Sequence, residues 1–392
     1  MTSGIIVESV SSALIEEATS WRHHLHEHPE LAFEERHTAD FVASQLDAWG
    51  LKVHRGLAGT GVVGTLTRGM GQRAIAIRAD MDGLSIQEES GAAYSSRRPG
   101  IMHACGHDGH VAMALAAARA CSEMPDLDGT VHFIFQPAEE NEAGGRRMVE
   151  DGLFRLFPCD AVYGLHNWPA LPLGTFVARD GPMMAAFGIF EIAIHGRGCH
   201  GAMPNEGADC ILAGCHLVTA LQSIVSRNVR PIDAAVVSVT QVHAGSTWNV
   251  IPPNCIVRGT TRWFEGEVGD VLERRVTELA KAVSTAFGCE AHVRYERRYP
   301  ATINNPAAAS LVRAVGVAPP VNLRLVDAQP SLGAEDFAFM LLDVPGCYIW
   351  LGAGGAGDNR GLHSPYYDFN DELLPFGVGL WTSLVRHSLF HT

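Results

Sequence analysis

The chain reads as an α/β protein of two domains, a larger one formed by residues 1–184 and 299–392 and a small one, residues 185–298, inserted into it. Three observations predict this. Short apolar runs alternate with helical stretches through the first half, the pattern of a mostly parallel sheet covered on both faces. Near Phe187 the order becomes strand, helix, two strands, helix, strand, which suits a separate unit with its helices on one face. The first style then resumes, and 392 residues exceed one ordinary core.

From Val7 to His28, Val, Leu, Ile and Trp recur at helical spacing, and Pro29 ends the run. Ala32–Trp49 reads as a second helix closed by Gly50. Strands are expected at Gly61–Thr67, Ala74–Arg78, Val131–Phe135 and Ala161–Leu165, with an alanine-rich helix from Asp108 to Cys121. In the inserted domain the strands are Gly188–Ile194, Ala235–Val242, Ile256–Phe264 and Glu290–Tyr295, and the helices Cys210–Arg227 and Val268–Phe287. A helix at Gly333–Leu342, a strand at Cys347–Leu351 and a helix at Asn370–Leu389 complete the larger domain. Gly181 and Gly188, near the crossings, are candidate hinges.

Hydrophobic residues make up 47% and charged residues 18%, a globular composition. The net charge of −14 argues against nucleic acid, which needs clustered Lys and Arg. Nine cysteines without a C-x-x-C pair indicate neither a disulfide framework nor a zinc ribbon. The amino-terminal stretch lacks the positive region of a signal peptide, and no run of about 18 apolar residues is apparent. A cytoplasmic protein with no membrane partner is the expectation.

Gly59-Thr60-Gly61-Val62-Val63-Gly64 matches a dinucleotide fingerprint, with Asp80 at a suitable distance. That fingerprint needs a helix to open after it. Here Val62–Thr67 continues as strand and is expected to form a hairpin with Ala74–Arg78, so the match is discounted.

Four segments place metal-type ligands at strand ends. They are Met102–His110, with Cys105 and His107 across one glycine; Gln136-Pro137-Ala138-Glu139-Glu140; Gly164-Leu165-His166-Asn167; and Gly361–Pro365, with His363. The carboxyl ends of parallel strands are where open α/β sheets build their sites. A lone histidine or cysteine is usually structural, but this combination is not casual. Amide hydrolysis needs a nucleophile, a proton shuttle and a stabiliser of the oxyanion; a bound metal acidifies water toward about pH 7, and a pair about 3.5–4 Å apart clamps the developing charge. Glu139 and Glu140 alternate at a strand end, so one can ligate while the other serves as base.

Taken together with Leu25–Leu31, Arg78–Leu84, Gly164–Trp168, Asn249–Pro252 and Gly333–Phe337, these segments resemble, over nearly the full length, the hippurate hydrolase and indole-acetyl-amino-acid hydrolase branch of the aminoacylase/carboxypeptidase G metallopeptidase family. The resemblance implies a zinc-exopeptidase-like α/β sheet with an inserted ferredoxin-like βαββαβ lid. Two divalent ions are implied, Zn or Mn, with Co or Ni as alternatives, held by Cys105, His107, Glu140, His166 and His363. Glu139 would be general base and Asp82 would orient a ligand from behind. In the lid, His200 matches a histidine that contacts the scissile carbonyl, while Asn249 and Arg262 match substrate-holding residues, Arg262 gripping a carboxylate. The expected partners are a small N-acyl amino acid or peptide and a second copy of the chain through the lid. A dipeptidase or aminopeptidase acting on a free amine is the alternative. His23, His24, His26 and His28 are expected to pack and cap their helix, His103 and His110 to be structural, and Asp80 to cap a strand.

Overall fold

A computed structural model describes residues 10–140, 142–354 and 361–390. It divides into two compact units, one of residues 1–183, 303–329 and 336–392, the other of 184–302 and 330–335.

The first unit opens with α1 (Ser12–Glu27), capped by the Ser11 hydroxyl, which accepts from Leu14 N–H at 3.2 Å. The expected residues Val7 to Ser9 lie outside those described. The second helix, α2 (Arg36–Ala48), starts four residues later than its apolar spacing suggests. Phe33 turns with φ +63°, and the Glu30 carboxylate accepts from the His37 and Thr38 amides at 3.2 and 2.9 Å, so the orphan N–H groups are met from outside the helix. There follow β1 (Lys52–Leu57), β2 (Gly61–Arg68), β3 (Ala74–Asp80), α3 (His107–Ser122), β4 (Gly129–Gln136), β5 (Ala161–Trp168) and β6 (Thr175–Val177).

In the second unit come β7 (Ala186–His195), α4 (Cys210–Asn228), β8 (Ala235–Ala244), β9 (Asn254–Trp263), α5 (Gly266–Ala286) and β10 (Glu290–Tyr299). This is the expected βαββαβ order. The sheet runs β8-β9-β7-β10 with all neighbours antiparallel, the ferredoxin-like arrangement. Phe190, Ile192, Ile194 and Val257 pack with Leu217, Leu221, Leu272 and Val276 of the helices in one core. By length and composition α4 is apolar enough to cross a membrane, which the expected absence of such a run overlooked. Its Ala213, Leu217, Leu221 and Ile224 are spent on this core instead. Gly188 is no hinge: it pairs with Thr261 inside the sheet, and a Cβ there would meet Thr261 Oγ1 at 2.7 Å.

Back in the first unit, β11 (Arg324–Leu325), β12 (Gly346–Gly352) and α6 (Leu374–Leu389) complete the fold. Its sheet has the order β1-β2-β4-β3-β5-β12-β6-β11. The central β4, β3, β5 and β12 are parallel, but β1, β2 and β6 pair antiparallel, so the sheet is mixed where a mostly parallel one was expected. The expected hairpin of β2 with β3 does not form either. Strand β4 lies between them, antiparallel to β2 and parallel to β3, because its continuous run of buried Val131, Phe133, Ile134 and Phe135 demands the sheet centre. No helix opens after Gly64, so the nucleotide motif is still discounted. The parallel strands all end on one edge, at Asp80, Gln136 and Trp168.

Candidate active site

Everything at that edge is arranged by loops leaving the strands. After Cys105 the chain passes through Gly106 at φ +93° and enters α3. A Cβ at Gly106 would lie 2.4 Å from Asn167 Oδ1 and 2.6 Å from the Tyr367 hydroxyl oxygen, so only glycine lets this loop approach. Cys105 and His107 then face His166 from the end of β5, with Cys105 Sγ 3.3 Å from His166 Nε2. On the other side the β4 strand runs into Gln136-Pro137-Ala138, where Ala138 takes φ +55°. Glu35 holds this turn: its carboxylate accepts from the Ala138 amide at 2.9 Å and the Thr60 hydroxyl at 2.7 Å. Burial pushes the Glu35 carboxyl up to about 7.

Asp82 sits behind the turn. Its two oxygens accept the backbone N–H groups of Glu139 and Glu140, each at 3.0 Å, while His107 Nδ1 donates to its carbonyl at 2.9 Å. One residue therefore orients a histidine through its backbone carbonyl and two consecutive glutamates through its carboxylate. His363, at φ +64°, is tied to Ala104 through its own amide at 2.8 Å.

Donor atoms of Cys105, His107 and His166 lie within 4.8 Å of one another, as do those of Cys105, Glu140 and His363, and those of His107, Glu139 and Glu140. All six expected residues thus meet in one cluster of the first unit. The electrostatics suit cations. His107 Nε2 is buried without a hydrogen bond, and Glu140 Oε1, also buried, meets His363 Nε2 at 2.9 Å without hydrogen-bond alignment. Burial works against a charged His107, yet Asp80, Asp82 and Glu140 carry it up to about 10. The Cys105 thiol is pushed well up by burial and then by Glu140, Glu139 and Asp80. His166 is driven well down by burial and by His110, and donates from Nδ1 to the Asn167 carbonyl at 2.7 Å, leaving Nε2 as a lone pair beside the sulfur. A thiol crowded by carboxylates and an orphaned imidazole nitrogen are both relieved by bound divalent ions.

Asp80 does more than cap a strand. It accepts from His110 Nδ1 and Arg78 Nη1, both at 2.6 Å, and Arg78 reaches on to Gln136 and Asp336 at 2.8 and 3.0 Å. Burial opposes the Asp80 charge, but Arg78, His107 and His110 hold its carboxyl well below the usual range. Asp336 also accepts from Gly145 N–H at 2.7 Å. The helix expected from Gly333 begins only at Phe337, and Asp336, its N-cap residue, makes no side-chain capping bond to it. Sequence reading gave no signal for Arg78 or Asp336 as a buried pair, although both fall in the quoted motifs.

The three lid residues belong to the second unit. His200 Nδ1 accepts from the Ala202 amide at 3.0 Å, which places the ring proton on Nε2. Asn249 is exposed, and its carbonyl accepts from Gly201 N–H at 2.7 Å. Arg262 stacks 3.9 Å over the Phe187 ring and donates to the Leu332 and Thr261 carbonyls at 3.1 and 3.2 Å. Burial lowers its pKa.

Residues 76–387 match the model of peptidase family M20/M25/M40. The chain is 39% identical to N-acetyl-L-cysteine deacetylase of Bacillus subtilis (strain 168), over 92% of this chain and 85% of that protein. It is 36% identical to hippurate hydrolase of Campylobacter jejuni, over 93% of this chain and 94% of that one. Among solved structures it resembles the YXEP protein of Bacillus subtilis, a dinuclear metal binding peptidase of family M20, with TM-score 0.85, 32% identity and coverage of 97% and 99% of the two chains.

Proposed function

Since the chain belongs to peptidase family M20/M25/M40, a family of metal-dependent amidohydrolases, we propose that it hydrolyses the amide bond of N-acyl amino acids bearing a free carboxylate. The observation that carries this reading is the Asp82 clamp, which fixes two adjacent glutamates in one turn, Glu140 beside Cys105 and His363 and both glutamates beside His107. The hippurate hydrolase and deacetylase likeness supports the substrate class.

Cys105, His107, Glu140, His166 and His363 would hold two divalent ions, and the thiolate favours zinc or another soft ion, with manganese, cobalt or nickel in reserve. When bound, such a pair acidifies water and polarises the scissile carbonyl. Glu139 takes the proton from the attacking water and returns it to the leaving amine. His200, protonated at Nε2, has the tautomer needed to donate to the carbonyl oxygen as it gains charge. Arg262, held flat against Phe187, presents a planar donor fork to the substrate carboxylate, with Asn249 as a further contact. Assembly of two copies through the lid unit and a cytoplasmic setting belong to this same reading.

The test is release of free amino acid from a panel of N-acyl amino acids and dipeptides, with Mn²⁺- or Zn²⁺-loaded protein beside a chelated control. Metal-dependent release from blocked substrates, lost on esterifying the carboxylate, is expected. Release confined to substrates with a free amine would replace this reading by a dipeptidase.

A further inference from the structure

Four histidines crowd the end of α1, and they divide into two kinds. His23 meets Asp371 at 2.8 Å and stacks on Tyr94, and His26 is buried between Asp108 at 2.8 Å and Glu88 at 3.2 Å. Those two are consumed by bonds to carboxylates. His24 and His28 are not: among the described residues no carboxylate is bonded to either. His24, in the last turn of α1, and His28, the residue that caps it, stand four residues apart at that end. The chain then turns at Pro29 and brings His37, the second residue of α2, against them. Ring centroids are 4.8 Å apart for His24–His28, 5.3 Å for His24–His37 and 5.2 Å for His28–His37, a closed triangle of imidazoles.

We propose that His24, His28 and His37 form a transition-metal site separate from the cluster at the strand ends. His28 Nδ1 is bonded to the His24 carbonyl at 2.8 Å, so its proton lies on Nδ1 and its Nε2 lone pair is left for a ligand. A backbone carbonyl behind one ring nitrogen is the usual support of a metal-binding histidine. His24 is shifted toward its neutral form by burial and then by His28 and His37. The charged neighbours, Glu27 and Arg97, are paired with each other at 2.8 Å. Both His24 and His28 sit at the carboxyl end of α1, where the helix dipole favours a cation. The His24 ring packs 5.1 Å from Phe41, and with His28 held by its carbonyl bond, rotation of His24 and His37 about Cβ–Cγ, a soft torsion, is what convergence of three nitrogens requires. His37 is exposed, which leaves the remaining coordination positions to water. An all-imidazole set selects Zn²⁺, Ni²⁺ or Cu²⁺ over Mg²⁺ and Ca²⁺.

The experiment compares wild-type chain with His37→Asn and His28→Ala variants after equilibration with Zn²⁺ and desalting, counting ions per chain by elemental analysis. Each variant is expected to hold one ion fewer than wild type with unchanged hydrolysis of the best N-acyl substrate. A Cys105→Ala, His107→Ala chain should retain the ion that His37→Asn removes, which separates this site from the proposed hydrolytic centre. Substoichiometric Cu²⁺ in that double variant should give an electron paramagnetic resonance spectrum with nitrogen hyperfine structure, lost with His37→Asn. Equal ion counts in wild type and His37→Asn, an exposed change that leaves folding intact, would overturn the proposal.

Discussion

The two units carry their chemistry in opposite ways. In the first, His107, His166, Glu139 and Cys105 are buried, and Asp82, Asp80, Arg78 and Glu35 brace the surrounding loops. In the second, His200 and Asn249 are exposed and Arg262 is half-buried, each secured by backbone contacts. The difference has a physical cause. A cluster of like charges and a buried thiol must be fixed in advance, since leaving such groups unpaired is costly. Side chains proposed to grip a substrate from an open surface can wait for it, because solvent satisfies them meanwhile.

This contrast is most directly broken at Glu139. Glu139→Gln is expected to lower kcat/KM by about 10²–10⁴, the usual worth of a general base, while elemental analysis finds its metal unchanged. Near-normal turnover of the loaded variant would remove Glu139 from the mechanism. Asp82→Asn comes next. Its amide would turn an NH₂ group toward one of the two glutamate N–H donors, so metal affinity should fall about 10–100-fold, measured by competition with a chelator. Arg262→Gln tests the other side: KM for N-acyl amino acids should rise about tenfold or more, from the loss of roughly 1.5–3 kcal/mol of charged hydrogen bonding, with metal content constant. A fall in metal content in Arg262→Gln would erase the distinction between the units.

The smallest effect concerns the brace around α1. Burial opposes a charged His26, but Asp108 and Glu88 raise it to about 9. The folded value lies above the ordinary 6.5. This group's contribution to stability is therefore complete below pH 6.5 and lost as pH rises through 9. Thermal melts should show that decline, at most about 1.4 kcal/mol per pH unit, and His26→Asn should flatten it. Identical pH slopes in the two proteins would discard the buried ion pair as its source.

Sequence made the donors legible because ligand chemistry is carried by residue type: cysteine, histidine and paired glutamates at strand ends have few other uses. The inserted unit was legible because its strand lengths and amphipathic helices repeat in a simple order. Strand pairing was not. That β4 would separate β2 from β3 depends on which strand buries both faces, a comparison between strands that local patterning does not make. Nor did the sequence disclose Arg78 with Asp336 or Glu35 with Ala138, since these contacts join distant residues whose types are ordinary on any surface. The histidine tract shows the same limit. Spacing puts His24 and His28 at one end of a helix, but only the turn after Pro29 supplies His37.

Glu139 and Glu140 have identical side chains, so what separates them is address alone. Asp82 reads that address by counting amides from the end of β4. Inserting one residue between Gln136 and Glu139 would put the first glutamate in the second's place and carry the second beyond the clamp, and deleting one would put the second glutamate in the first's place. The segment is therefore frame-sensitive. It should tolerate substitution at Pro137 far better than any change of length, and a lineage could not drift through a one-residue indel there without losing the reaction at that step.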